Sequence, residues 1–252
     1  MRTLVVLPTY QEADNVVAVL TRLRTAVPDA TVLVVDDASP DGTADLAEEL
    51  GRELGGIEVL RRPGKDGLGS AYRAGFAHGL ANGFEVMVEI DADGSHDPGA
   101  LPTLLAAVEG GADLAIGSRY VPGGSIPDWP PVRRFISVAG NRYAAALLRI
   151  DVKDATAGFR AYRADMLRRL DLPAIRADGY GFQVEMVYRI HRLGGEIVEV
   201  PITFTDRVEG VSKMSGRIVL EALVLVTLWG VRDRLRRGRG RTSLQPAERR
   251  SP

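Results

Sequence analysis

Apolar residues fall into two alternating periodicities along the first half of the chain. Short runs rich in β-branched residues, TLVVL from residue 3, TVLVV from 31, IEVL from 57 and EVMVEI from 85, predict strands. The amphipathic stretches between them predict helices over 12–27, 43–54 and 69–82. Strand and helix in strict alternation predict a parallel α/β sheet, and a helix over 98–109 followed by DLAIGSR as a strand continues the rhythm. Polar and Gly-rich groups gather just after the strands, at PTYQE, DDASPDGT, DADGSH and GSRY. Open α/β sheets bind ligands at that edge.

From residue 121 the texture changes to a Gly- and Pro-rich loop, VPGGSIPDWPPVRR, then an amphipathic helix over 134–149 that suits the acceptor side of a site. DATAGFRAYR, helices over 164–170 and 181–193, a strand EIVEVPITF and a loop TDRVEGVSKMSG follow. Residues 218–231, IVLEALVLVTLWGV, form the long apolar stretch, interrupted by Glu221. As a helix they reach roughly 21 Å, short of the ~30 Å hydrocarbon core, so rather than span it they should lie in a membrane interface, pack on the core or join a partner's helices, with membrane or partner favoured. The N-terminal MRTLVVLPTYQ reads as a first strand and not a leader. The expected organisation is one catalytic domain over 1–231 and a basic, disordered tail over 232–252.

Composition narrows the chemistry. With no cysteine a thiolate metal site is excluded, with three histidines an all-imidazole site is not expected, and any metal should be oxygen-ligated, such as Mg2+ or Mn2+. The net charge of −1 hides an asymmetry: residues 232–252 hold eight Arg against Asp233 and Glu248, a net +6, which leaves −7 on residues 1–231. A basic end suits lipid headgroups. Nucleic acid is not expected, because the tail lacks interleaved aromatics and the body is acidic.

Asp91 and Asp93 in EIDADGSH end a buried strand, where ionised carboxylates need a counter-charge or water. On one short turn they suit a shared hard cation; the alternative is that one caps a turn or the helix beginning near Pro98. In PTYQEADN, Tyr10 and Glu12 suit a base or ribose, while Thr9 and Glu12 could equally form a capping box. Asp36 and Asp37 close the second strand, with Asp41 as a helix cap. GKDGLGSAYRAG lacks the GxGxxG spacing and reads as a lip at a helix start. Arg119, Arg133, Arg134, Arg160, Arg207 and Lys213 are the candidate anion binders, and His96 is the histidine nearest the acidic turn.

Taken in order from about residue 3 to 228, PTYQEADN, VVDDASPDGT, GLGSAYRAGF, EIDADGSH, GSRY, DATAGFRAYR, GYGFQVEM and PITFTDRVEGVSKMS resemble the polyprenyl-phosphate (dolichyl-phosphate) mannosyltransferases, family-two glycosyltransferases with the GT-A fold. The resemblance implies inverting transfer of mannose from GDP-mannose to polyprenyl or dolichyl phosphate. It implies Pro8, Tyr10, Glu12, Val35 and Asp37 around the guanosine, and Asp91, Ala92, Asp93 and Ser95 at the metal and diphosphate. Arg119, Arg207 and Lys213 would complete the phosphate and sugar contacts and, with Asp93, form the catalytic set; Arg133 would join the cationic seat of the acceptor. Ser95 stands where some relatives carry Gln. A peripheral enzyme on the cytoplasmic face of a membrane is implied, held by 218–231 and the tail or by a membrane partner. A related transferase using UDP-glucose or another nucleotide sugar, and a non-catalytic nucleotide-sugar or nucleic-acid binder, are the competing readings.

Overall fold

The computed structural model describes residues 1–206 and 216–241, with the side chains of 1–206 and 220–235. Its elements run β1 (Thr3–Thr9), α1 (Ala13–Ala26), β2 (Thr31–Asp36), α2 (Thr43–Leu54), β3 (Ile57–Arg61), α3 (Leu68–Ala81), β4 (Val86–Glu89), α4 (Leu101–Glu109) and β5 (Leu114–Ser118). Then follow α5 (Pro131–Leu148), β6 (Arg160–Arg163), α6 (Ala164–Arg169), α7 (Gly179–Arg192), β7 (Ile197–Pro201) and α8 (Gly216–Arg241). Among the described residues these strands form one seven-stranded sheet in the order β3-β2-β1-β4-β6-β5-β7.

Residues alternate across β1 because successive side chains of a strand point to opposite faces. Leu4 and Val6 enter a core with Tyr72 and Phe76 of α3 and Phe182 and Met186 of α7. Val5 and Leu7 enter a second core with Val16 and Leu20 of α1 and Leu101 and Leu104 of α4. Burial on both faces is why these strands read as unbroken apolar runs. The closeness of α3 to β1 depends on Gly75, where an added Cβ would lie 2.3 Å from Val6 Cγ1.

Several elements depart from expectation. RAYR at 160–163 is a strand, antiparallel to both β4 and β5, within an otherwise parallel sheet. Its short length and flanking arginines hide it, because Arg160 is fully buried and its guanidinium donates to the carbonyls of Ala157, Gln183 and Ala155 at 2.7, 2.8 and 2.7 Å. Helix α5 begins at Pro131, three residues before the expected start, with Pro in the first turn, where its missing N–H costs nothing. Helix α8 continues to Arg241, well past the expected boundary at 231. It is seated by Val226 in the core, Trp229 stacked on Tyr188 of α7 at 5.9 Å, and an Arg192–Asp233 ion pair at 2.7 Å.

Candidate active site

The carboxyl ends of β2, β1 and β4, which are neighbours in the sheet, open into a cleft of about 490 Å³. Pro8, Tyr10, Glu12, Asp37, Asp91, Ala92 and Asp93 all line it, as expected from the sequence. Parallel strands end on the same edge, so loops far apart in sequence converge there.

The turn after β2 separates its two carboxylates. Asp36 holds the turn, accepting from Thr9 Oγ1 at 2.9 Å and from Ser39 N and Oγ at 2.9 and 2.6 Å. Asp37 faces the cleft and pairs with Arg62 at 2.7 Å. Burial pushes the Asp37 carboxyl up, against the opposing charge of Arg62. Asp41 is not the cap of α2, which is Gly42 in the left-handed region; one residue earlier, Asp41 ties the turn instead, accepting from Thr43 N and Oγ1 at 3.2 and 2.6 Å and from Ala13 N at 3.1 Å. The capping box between Thr9 and Glu12 does not form: Thr9 bonds Asp36, and Glu12 N donates to Thr43 Oγ1 at 3.0 Å. The 64–75 stretch does reach the cleft: Lys65 Nζ lies 4.1 Å over the Tyr10 ring, and Asp178 accepts from Gly69 N at 2.6 Å, tying the α3 start to the α7 start.

At the acidic turn, Asp91 is about one-third exposed and takes the Tyr72 hydroxyl at 3.1 Å. Asp93 accepts from Ser95 N at 3.0 Å. Gly158 lies against Asp91, where a Cβ would come within 3.2 Å of Oδ2, so the backbone cradles that carboxylate. Among the described residues no three His, Cys, Asp or Glu side chains form a closed metal cage. Two cleft-facing carboxylates in an all-oxygen set fit an Mg2+- or Mn2+-like ion that takes its other ligands from water and a diphosphate. His96 Nε2 is 3.9 Å from Asp91 Oδ2, and the ring is packed on Phe159 and Phe204. Burial pushes its pKa down to about 4, so it is a neutral filler near pH 7.

Other expected site residues lie elsewhere. Val35 is a core residue of β2. Ser95 is 1% exposed, its Oγ enclosed without a hydrogen-bond partner and outside the cleft lining. Arg119 is not a cleft cation: Asp154 takes its Nε at 2.7 Å and Nη2 at 2.6 Å, and Trp129 and Phe204 flank it. Burial acts to lower the Arg119 pKa, and Asp154 overrides this and raises it. What Arg119 does hold is Thr156, whose Oγ1 accepts from Nη2 at 3.0 Å and which lines the cleft. Arg133 stacks on Trp129 and pairs with Asp206 at 3.0 Å beside the cleft, and Arg134 is exposed. Arg160 belongs to the core. Arg207 and Lys213 lie outside the described residues.

The cleft also contains Lys65, Thr156, Gly158, Asp178, Tyr180, Gln183 and Glu221, which residue-by-residue reading missed. For Thr156, Gly158, Tyr180 and Gln183 the signal was the polar Gly-rich runs DATAGFR and GYGFQ, and β6 brings the first of these beside β4; Lys65 comes from the 64–75 lip and Glu221 from α8.

Beneath the turn, Glu89 is fully buried, accepts from Tyr162 Oη at 3.1 Å, and has its pKa pushed up to about 7 by burial, against the charge of Arg160. The folded protein therefore holds this proton where the unfolded chain, at 4.5, has released it. Stability from this group is full below pH 4.5 and is lost as pH rises through 7. At roughly 1.4 kcal/mol per pH unit the loss is about 3 kcal/mol. Glu89→Gln should remove this slope: urea unfolding of the metal-free protein at pH 5 to 8 would show wild type declining more than the variant, and equal slopes would reject the assignment.

The mostly parallel sheet, with an acidic cleft at its carboxyl edge, has the GT-A glycosyltransferase fold of the proteins it matches. The chain belongs to glycosyl transferase family 2, whose sequence model matches residues 4–171. It is 56% identical to the undecaprenyl-phosphate mannosyltransferase of Micrococcus luteus, over 97% of this chain and 100% of that one. It is 51% identical to the polyprenol monophosphomannose synthase of Mycolicibacterium smegmatis, over 95% of this chain and 91% of that one. Among solved structures, glucosyl-3-phosphoglycerate synthase from Mycobacterium tuberculosis in complex with Mn2+, UDP-glucose and glycerol 3-phosphate shares the fold at a TM-score of 0.69, with 21% identity over 91% of this chain and 80% of that one.

Proposed function

We propose that this glycosyltransferase moves mannose from GDP-mannose to a polyprenyl phosphate, with inversion and with the help of Mg2+ or Mn2+. The observation that carries this reading is the junction of two unlike cavities. The polar cleft shares Thr156 and Tyr180 with an apolar groove of about 620 Å³ between α5 and α8, walled by Trp129, Ile136, Leu223 and Val226. A donor with a charged diphosphate suits the first and a phosphate on a long hydrocarbon suits the second. Relatives named for mannosyl transfer to undecaprenyl phosphate and polyprenol support the lipid acceptor.

On this reading Tyr10, Glu12 and Asp37 hold the nucleoside, and Asp91 and Asp93 would hold the cation. Bound there, the cation would supply positive charge against the departing diphosphate. An acceptor phosphate is already anionic near pH 7, so no general base is needed, which agrees with His96 being neutral. Arg133, at the groove, is the described cation best placed to steer that phosphate. Incubating the full chain with Mg2+, polyprenyl phosphate and labelled GDP-mannose, GDP-glucose or UDP-glucose should label the lipid from GDP-mannose alone, and chelation should abolish labelling. Labelling from UDP-glucose instead, or none from any donor, would overturn the reading.

We also propose peripheral attachment at the cytoplasmic face of a membrane. Among the described residues no helix is long and apolar enough to cross one. The groove is rimmed by outward apolar side chains: Val132 (70% exposed) and Phe135 (73%) on α5, and Leu220 (63%) and Leu228 (59%) on α8. Arg133 and Arg134 sit among the first pair, a pattern suited to an anionic interface. Phe135→Glu with Leu228→Glu should leave the fold intact and abolish sedimentation with anionic vesicles; undiminished sedimentation would remove this surface from the account.

A further inference from the structure

The chain enters α1 through three consecutive backbone N–H groups, and none of them is taken by the helix's own N-cap, Glu12, whose side chain accepts from Asn15 Nδ2 at 3.0 Å instead. The acceptors come from the loop after β2. Ser39 Oγ takes Gln11 N at 3.0 Å, Thr43 Oγ1 takes Glu12 N at 3.0 Å, and Asp41 takes Ala13 N at 3.1 Å. Each hydroxyl is itself held: Ser39 Oγ donates to the buried Asp36 at 2.6 Å, and Thr43 Oγ1, fully buried, donates to Asp41 at 2.6 Å. A hydroxyl whose proton is committed in this way keeps its lone pairs for an N–H.

The segment so held is strained. Gln11 has φ +57°, in the left-handed region that a residue with a Cβ seldom occupies, and Ala38, beside Asp37, has φ +55°. Such conformations persist only where the surroundings over-determine them, and they gather at ligand sites. Gln11 is exposed and outside the cleft lining, while its neighbours Tyr10 and Glu12 both line it, so the backbone at residue 11 sets where those two side chains stand. Asp37, on the same cleft wall, belongs to the loop that carries Ser39, Asp41 and Thr43. The two loops are therefore tied into one unit.

We propose that Ser39 and Thr43, with Asp41 behind them, are positioning residues for the nucleoside: they hold the left-handed turn at Gln11, so that Tyr10 and Glu12 stand ready beside Asp37 before a donor arrives. This rests on the reading above that Tyr10, Glu12 and Asp37 hold the nucleoside. The test uses the full chain with Mg2+, as wild type, Ser39→Ala, Thr43→Val, Thr43→Ser, and Ser39→Ala combined with Gln11→Gly. Calorimetric affinity for GDP should fall about ten-fold in Ser39→Ala and Thr43→Val, and stay within about two-fold of wild type in Thr43→Ser, which keeps the hydroxyl. Adding Gln11→Gly should return Ser39→Ala to within about three-fold of wild type, because glycine adopts the left-handed turn unaided. In turnover, kcat at saturating GDP-mannose and KM for polyprenyl phosphate should move less than about three-fold, since neither the acidic turn nor the groove is touched. The proposal is overturned if Ser39→Ala and Thr43→Val both bind GDP within about two-fold of wild type, or if Gln11→Gly rescues nothing and kcat falls as far as affinity, the mark of a merely structural role. If Thr43→Val does not fold, Ser39→Ala and its Gln11→Gly partner decide alone. Should wild type bind UDP and not GDP, the guanosine assignment fails by itself and the same variants titrated with UDP decide the roles of Ser39 and Thr43; binding of neither nucleotide overturns both readings.

Discussion

Asp154→Ala should destabilise the protein by about 3–5 kcal/mol, the usual consequence of leaving one member of a buried ion pair uncompensated. Asp154 is fully buried and accepts four hydrogen bonds: Arg119 N at 3.0 Å, Nε at 2.7 Å and Nη2 at 2.6 Å, and Thr156 Oγ1 at 3.3 Å. Without it the Arg119 guanidinium stays enclosed by Trp129, Phe204 and Tyr120, with Thr156 as its remaining side-chain acceptor. A typical domain has about 5–15 kcal/mol in hand, so the variant should unfold at a much lower urea concentration. Replacing both members, Arg119→Met with Asp154→Leu, should recover part of the loss, because no charge is then stranded. A single variant as stable as wild type would show that the pair contributes nothing. Activity should fall in either case, since Thr156 at the cleft loses its bond to Asp154 and, in the double variant, the bond from Arg119 as well.

Asp93→Asn should lower kcat by roughly 10³-fold while leaving the fold intact, because Asn keeps the shape and can still accept from Ser95 N. On the proposed reading the loss comes from a weakened cation seat, so the Mg2+ concentration needed for half-maximal rate should rise as well. A variant keeping more than about a tenth of wild-type turnover at ordinary Mg2+ would sink the metal assignment. The Asp91 partner gives a graded comparison. Asp91 is braced by Tyr72, so Tyr72→Phe should raise the Mg2+ concentration needed for half-maximal rate without abolishing turnover.

Much of the architecture was legible because it is local. A strand buried on both faces must be apolar throughout and a helix on one face must repeat near every 3.6 residues, so β1 to β5 and α1 to α3 lie within a residue or two of expectation, while α4 starts three residues late, after a tight turn over Pro98–Ala100. The strand ends could be read for the same reason, and Pro8, Tyr10, Glu12, Asp37, Asp91 and Asp93 converge as expected. Strand β6 was not legible, since four residues containing two arginines carry no apolar period, and pairing with β4 is a non-local event.

Side-chain direction was the other loss. Arg119 sits on a Gly-flanked loop after a strand, the usual address of a ligand contact, and nothing nearby in sequence reveals that Asp154 will claim it. Val35 follows the same rule as its neighbours on β2, and its parity sends it to the core. By itself, then, the sequence determined the fold class, the edge of the sheet at which the acidic cleft opens and the lack of any thiolate, because period, strand termination and residue type are properties of short segments. The tertiary structure alone decided which charges are spent on one another, that β6 and α7 close the cleft, and that α8 carries Glu221 to it. Those outcomes depend on segments distant in the chain meeting in space, where burial fixes which polar groups must pair and which remain for a substrate.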